Sequence, residues 1–181
     1  MAGFILILEG KMYKVGDIIH YGNTGVCRVE AVEERKTENG TRLFYCIRPL
    51  YQECTIFTPV DNEKVFMRPA ISREEAQRLV DIIPTIEAEA YCSSVTRELV
   101  EHYEEAINTH SCRDLVELTM SIYKKRKNAA EHRKKFGSVD ERFMKKAEDL
   151  LFGELAVAFG IDKSDVPEYI SKRVSELKNT K

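Results

Sequence analysis

The sequence predicts an α+β protein of two domains, a small antiparallel β-barrel followed by an all-α helical bundle. Three observations carry that expectation. Up to about Pro69 the apolar residues come in short β-branched and aromatic runs separated by turn residues. Beyond Pro69 the apolar period changes from two to that of a helix. Helix-capping sequences then punctuate the second half.

The strands come first. Ile18–His20, Gly25–Val32, Leu43–Pro49 and Cys54–Thr58 are the β runs. The turns between them are Tyr21-Gly-Asn-Thr-Gly25 and Lys36-Thr-Glu-Asn-Gly40, whose Asn39-Gly40 pair suits a tight hairpin. Strands this short and this close in sequence suit a small curved barrel better than a sandwich, and such a barrel leaves strand edges exposed.

Helices follow. Ser72-Arg-Glu-Glu75 is a capping box opening a short helix that ends before Pro84. Residues 86–92 read as a connector. Val95, Leu99, Tyr103, Ala106 and Ile107 form one apolar face. A second helix runs from Asp114 to about Lys135, with Leu115, Leu118, Ile122 and Ala129 or Ala130 inward. Ser138 with Glu141 suggests another capping box, opening a helix that carries Phe143, Ala147, Leu150, Leu151, Leu155 and Val157 to near Gly160. Asp162 or Ser164 caps a last helix through Leu177. The expected organisation is a leader of uncertain origin at 1–11, a β-barrel at 12–69, a short helix and connector at 70–92, and a helical bundle at 93–181.

Enzyme signatures are absent. There is no Gly-rich phosphate loop and no Gly-x-Ser-x-Gly elbow. His20, His102, His110 and His132 fall in different elements, and no C-x-x-C or H-x-x-x-H spacing supports a metal. The five cysteines make an odd count without a regular framework, as expected of reduced thiols in a cytoplasmic protein. No apolar stretch approaches the roughly 18 residues that span a bilayer. These readings predict a non-enzymatic monomer with no catalytic residue, metal, cofactor, small-molecule substrate or membrane contact.

The net charge of −2 hides a polarised distribution. From Lys124 to Lys146 there are ten basic residues against three acidic ones, whereas from Glu87 to Glu105 six acidic residues face one arginine. A helical hairpin could gather the basic stretch into one patch for phosphate contacts, which position a protein on DNA without reading sequence. Lys124, Lys125, Arg126, Arg142, Lys145 and Lys146 are its candidate DNA-binding residues. Arg35, at a strand end before the hairpin, could anchor an acidic residue of a protein partner.

Met12-Tyr-Lys-Val-Gly-Asp-Ile-Ile-His-Tyr21, Gly25-Val-Cys-Arg-Val-Glu30 and Thr55-Ile-Phe-Thr-Pro-Val-Asp-Asn62 resemble the CarD/CdnL family of transcription regulators. Leu150-Leu-Phe-Gly-Glu-Leu-Ala-Val-Ala158 resembles the family's Gly-Glu-Leu helix. The resemblance implies a Tudor-like β-domain that pairs strand edges with the β subunit of bacterial RNA polymerase. It implies a helical domain on promoter DNA, near the upstream edge of the melted bubble, and an altered open-complex stability. The implied polymerase contacts are Arg35, Thr55, Phe57 and Thr58, with Phe57 where some members carry a second arginine. Leu99 falls where many members place a DNA-wedging tryptophan, flanked by Val100, Glu101 and His102 instead of basic residues. Poor binding to DNA alone is expected. The rival reading is a protein-interaction adaptor without DNA contact.

Overall fold

The computed structural model describes residues 12–38 and 40–179, so the leader at 1–11 and Asn39 of the expected hairpin turn lie outside the described residues. The order of elements is α+β. Strands β1 (Ile18–Tyr21), β2 (Gly25–Thr37), β3 (Gly40–Pro49), β4 (Ile56–Pro59) and β5 (Met67–Pro69) precede helices α1 (Arg73–Ile82), α2 (Thr96–Asn108), α3 (Cys112–Glu131), α4 (Ser138–Phe159) and α5 (Val166–Asn179).

The strands form one antiparallel sheet in the order β4-β3-β2-β1-β5. The long β2–β3 hairpin is its spine: Thr37 pairs with Gly40 at the tip and Cys27 with Pro49 at the base. Its register shifts between Val29 and Ala31, a bulge that bends the ladder. No pairing joins β4 to β5 among the described residues, so the hydrogen-bonded ladder is an open sheet and not the closed barrel expected. β5 is the strand that local pattern missed, because Met67-Arg-Pro69 is too short and too polar to signal one. Ile19, Cys27, Val29, Tyr45 and Ile47 fill the core of the sheet. Burial pushes the Cys27 thiol up to about 12, so it packs as a small apolar group.

The helices share a second, larger core. Leu99, Tyr103 and Ile107 of α2 and Leu115, Leu118 and Ile122 of α3 meet Phe143, Ala147, Leu151 and Leu155 of α4. The capping box at α1 is formed in both directions: Glu75 N–H donates to Ser72 Oγ at 3.2 Å, and Ser72 N–H to Glu75 Oε2 at 2.8 Å. The one expected at Ser138 is not. Gly137 is the N-cap, without a side-chain cap bond, and Ser138 is already helical. The Asp140 carboxylate explains the glycine, since a Cβ on Gly137 would come 2.7 Å from Asp140 Oδ2. Asp140 is buried, accepting from the Tyr103 hydroxyl at 2.7 Å and pairing with Lys125 at 2.8 Å.

Helix α3 ends earlier than expected, at Glu131. Arg133 takes the left-handed conformation (φ 51°), while Arg133 N–H donates to Ala130 O and Lys134 N–H to Ala129 O. That bond pattern is a Schellman stop. Gly160 ends α4 in the same way.

Candidate partner-binding surfaces and the seam between them

Strand alternation decides what the sheet can offer a partner. Along β4, Phe57 points out and is 41% exposed, while Thr58 points in and is 2% exposed. Thr58 Oγ1 accepts from Asn62 Nδ2 at 2.7 Å, so its side chain is withdrawn from any partner. Thr55 is exposed just ahead of the strand. Arg35 on β2 reaches across β3, and its guanidinium carbon lies 3.4 Å from the Phe57 ring centroid. Its Nε donates to Glu33 Oε1 at 2.7 Å. The stack contributes about 0.5–1 kcal/mol at an exposed site and holds the arginine flat against the sheet. Nearby, Arg42 donates to both oxygens of Asp61 at 2.8 Å, and that hydrogen bonding holds the Asp61 carboxyl below its ordinary value. Among the described residues β4 pairs with β3 alone, which leaves its other edge open to a partner strand.

Among the helices, the basic stretch does not form the single patch expected. Lys124 donates to Ala88 O at 3.3 Å and pairs with Glu89 at 3.2 Å, tying α3 to the 86–89 connector. Lys125 is 19% exposed and committed to Asp140. Arg126 lies 5.8 Å from the Phe136 ring. Arg142, Lys145 and Lys146 sit together on another face of α4, where with the sheet they line a cleft of about 390 Å3. The reason is helical phase: Met144 and Glu148 face the connector, and 142, 145 and 146 face the opposite way. Leu99 is 7% exposed and packs in the helical core. It presents no wedge to a nucleic acid.

A buried polar seam joins sheet to helices, and sequence reasoning assigned it no role. Its centre is Glu154 of α4, with no exposed surface. Arg68 of β5 donates to both of its oxygens, Nη2 to Oε2 at 2.9 Å and Nη1 to Oε1. Ile71 N–H donates to Oε1 at 3.0 Å, and the Cys112 thiol to Oε2 at 3.1 Å. His20 of β1 lies 3.1 Å away through Nδ1; a carboxylate only accepts, so Nδ1 carries the proton. Burial alone would raise the Glu154 carboxyl, but hydrogen bonds from His20 and Arg68, with the Arg68 charge, bring it down to about 2. Burial, then Glu154, pushes the Cys112 thiol up. Arg68 also donates to His110 O at 2.8 and 3.2 Å. The His110 ring stacks on Phe66 at 4.6 Å and lies 5.6 Å from that of His20.

The rest of the seam is close packing. Gly153 meets the Tyr51 ring, and Tyr51 Oη donates to Gly153 O at 3.3 Å. Gly25, at φ +87°, lets the β1–β2 turn lie against α4: a Cβ there would come 3.2 Å from Leu150 Cδ2. The Gly-Glu-Leu segment thus has three physical jobs. Gly153 admits the tyrosine, Glu154 gathers the cations and donors, and Leu155 enters the helical core.

Residues 13–71, which span the whole described sheet, match the family model of the CarD-like/TRCF RID domain. The sheet is similar to a CarD-like domain. Domains of that family interact with RNA polymerase. No curated protein matches the chain. The matched segment ends at the seam, where Arg68 and the Ile71 N–H bind Glu154. Among the described residues no three His, Cys, Asp or Glu side chains converge as metal ligands, and no helix is long and apolar enough to cross a membrane.

Proposed function

We propose that this protein is a cytoplasmic, non-enzymatic regulator of bacterial transcription that joins RNA polymerase to promoter DNA. The CarD-like sheet docks on the polymerase β subunit by adding the open edge of β4 to a strand of that subunit. The Arg35–Phe57 stack anchors the seam between them: Phe57 replaces a second arginine and stiffens the first. Thr55 lies at the same edge. The helices then meet promoter DNA beside the upstream edge of the bubble, through Arg142, Lys145 and Lys146. The effect is a changed lifetime of the open complex, without a chemical step.

The observation that carries this reading is the similarity to a CarD-like domain together with an exposed arginine-on-phenylalanine platform, beside a β4 edge that no other described strand pairs. The test is calorimetric titration of the purified protein against the isolated polymerase β lobe. Binding is expected, and Arg35→Glu should reduce it at least tenfold, since a charge reversal at an anchor costs more than 1.4 kcal/mol. No binding by the unmodified protein defeats the reading.

Two observations favour the adaptor alternative, in which the helices bind protein instead of DNA: Leu99 is buried, and Lys124 and Lys125 are already paired. Footprinting of a promoter with and without polymerase separates the two, because only the DNA-joining reading extends the protected region when the protein is added.

A further inference from the structure

The cleft between the sheet and α4 is more than a surface of the helices. Its helical wall carries Arg142, Lys145 and Lys146, spaced to share one face. Its other wall belongs to the CarD-like domain: Asn23 and Thr24 of the short turn after β1, and Gln52 after β3. We propose that this cleft seats phosphate groups of the nucleic-acid backbone, so that the polymerase-binding sheet itself touches the DNA. The proposal rests on the DNA-joining reading above and adds a second wall to it.

Charge is the first argument. Among the described residues Arg142, Lys145 and Lys146 have no carboxylate within ion-pair distance. The cleft's one acid, Asp149, is already neutralised by Lys163 at 2.8 Å, and that lysine also lies 4.9 Å from the Tyr51 ring. Like charges three and four residues apart on a helix destabilise it by a few tenths of a kcal/mol per pair. An anion between them relieves that repulsion.

The second argument is the chemistry of the opposite wall. It is uncharged and rich in hydrogen-bond donors. Asn23 Nδ2 gives one N–H to Asn108 Oδ1 at 3.3 Å and keeps the other, and the Gln52 amide is exposed. Cations on one side with neutral donors on the other make a pattern that holds a phosphodiester without reading a base. Rigidity is the third. Gly25 against Leu150 and Tyr51 against Gly153 fix the distance between the walls, so the site exists before the ligand arrives.

The test uses the full chain, a fluorescent promoter-length duplex and anisotropy at low salt, with thermal melts to monitor folding. Thr24→Glu and Gln52→Glu, both on the sheet wall, should each weaken duplex binding severalfold while leaving β-lobe binding unchanged. Gln52→Lys should strengthen it, a gain that misfolding cannot produce. Replacing Lys145 and Lys146 by Gln should flatten the dependence of log K on log salt by about 0.9 per lost phosphate contact. If the lysine changes act and the three sheet-wall changes do not, the DNA lies on the helices alone; the inference then fails and the DNA-joining reading stands. If the unmodified protein binds no duplex even when docked on polymerase, both fail. Inorganic phosphate, at matched ionic strength, should not displace the duplex at millimolar concentration. Displacement there would mark a site for free oxyanions and overturn the proposal.

Discussion

At Gly153 two preferences of a single position oppose each other. A glycine inside a helix costs about 1 kcal/mol relative to alanine. Here, however, a Cβ would stand 3.0 Å from Tyr51 Cε2 and 3.3 Å from its Cδ2, too close without movement of the ring. Tyr51 is 44% exposed, so its ring can yield a little. Gly153→Ala should therefore come out within about 1 kcal/mol of neutral, the helical gain offsetting the displaced ring. Gly153→Leu cannot be absorbed and should cost about 2–3 kcal/mol. In a Tyr51→Ala background, Gly153→Ala should become stabilising, as read by urea denaturation. If alanine is strongly destabilising in both backgrounds, the ring is not what selects the glycine. Single-residue alternation matters equally at β4, where Phe57 is exposed and its neighbour Thr58 is sealed inside. Sequence similarity placed both at the contact, and only the strand's phase separates them.

Between elements, the seam makes the union of sheet and α4 sensitive to acid. The Glu154 carboxyl is held at about 2, below the roughly 4.3 of an unfolded glutamate. Its contribution is therefore complete above the unfolded value and is lost as pH falls from there towards 2. His110 is lowered by burial first, then by His20 and Arg68. The unfolded imidazole takes up its proton below about pH 6.5 while the folded one resists, so stability is lost in the same direction and earlier. Denaturation midpoints measured from pH 7 to pH 3 should fall in two stages. Glu154→Gln should lower stability at pH 7 and flatten the later stage; an unchanged acid limb would show that another carboxylate controls it. Removing the group altogether, by Glu154→Ala, leaves Arg68 facing a buried gap and should cost about 3–5 kcal/mol.

This seam also marks the limit of what sequence could tell. Apolar periodicity located α2, α3 and α4, because burial imposes it on every turn, whereas capping residues located α1 and α5. The Gly160 stop was legible for the same reason a glycine usually is, whereas Arg133 makes an identical stop with a residue that carries no such signal. His20, Arg68, Cys112 and Glu154 come from four elements with no characteristic spacing. The one local clue was a glutamate on the apolar face of α4, between Leu150, Leu151 and Leu155. The basic run shows the converse. Its residues are neighbours in sequence, yet pairing and helical phase distribute them over separate faces.

For the whole molecule, the seam means that docking one part orients the other. The net charge of −2 and the acidic residues of α2 repel free duplex, while the cleft offers three cations that no described carboxylate pairs. Three phosphate contacts give a slope of log K against log salt of about −2.7, so affinity falls roughly fortyfold between 50 and 200 mM salt. Free duplex binding should thus vanish near physiological salt. Binding to polymerase changes the arithmetic, because a docked protein meets the promoter at an effective concentration on the order of millimolar. A weak site is then sufficient, provided the cleft points at the DNA. Reversing Lys145 and Lys146 to Glu should accordingly abolish the effect on open-complex lifetime and leave β-lobe affinity intact. Glu154→Ala should do so by another route, keeping the cations but freeing the cleft to wander from its bearing on the sheet. Its lobe affinity should survive if the CarD-like sheet stays folded. A Glu154→Ala protein with an undiminished promoter effect would mean that proximity alone suffices, and that the buried carboxylate serves stability without serving aim.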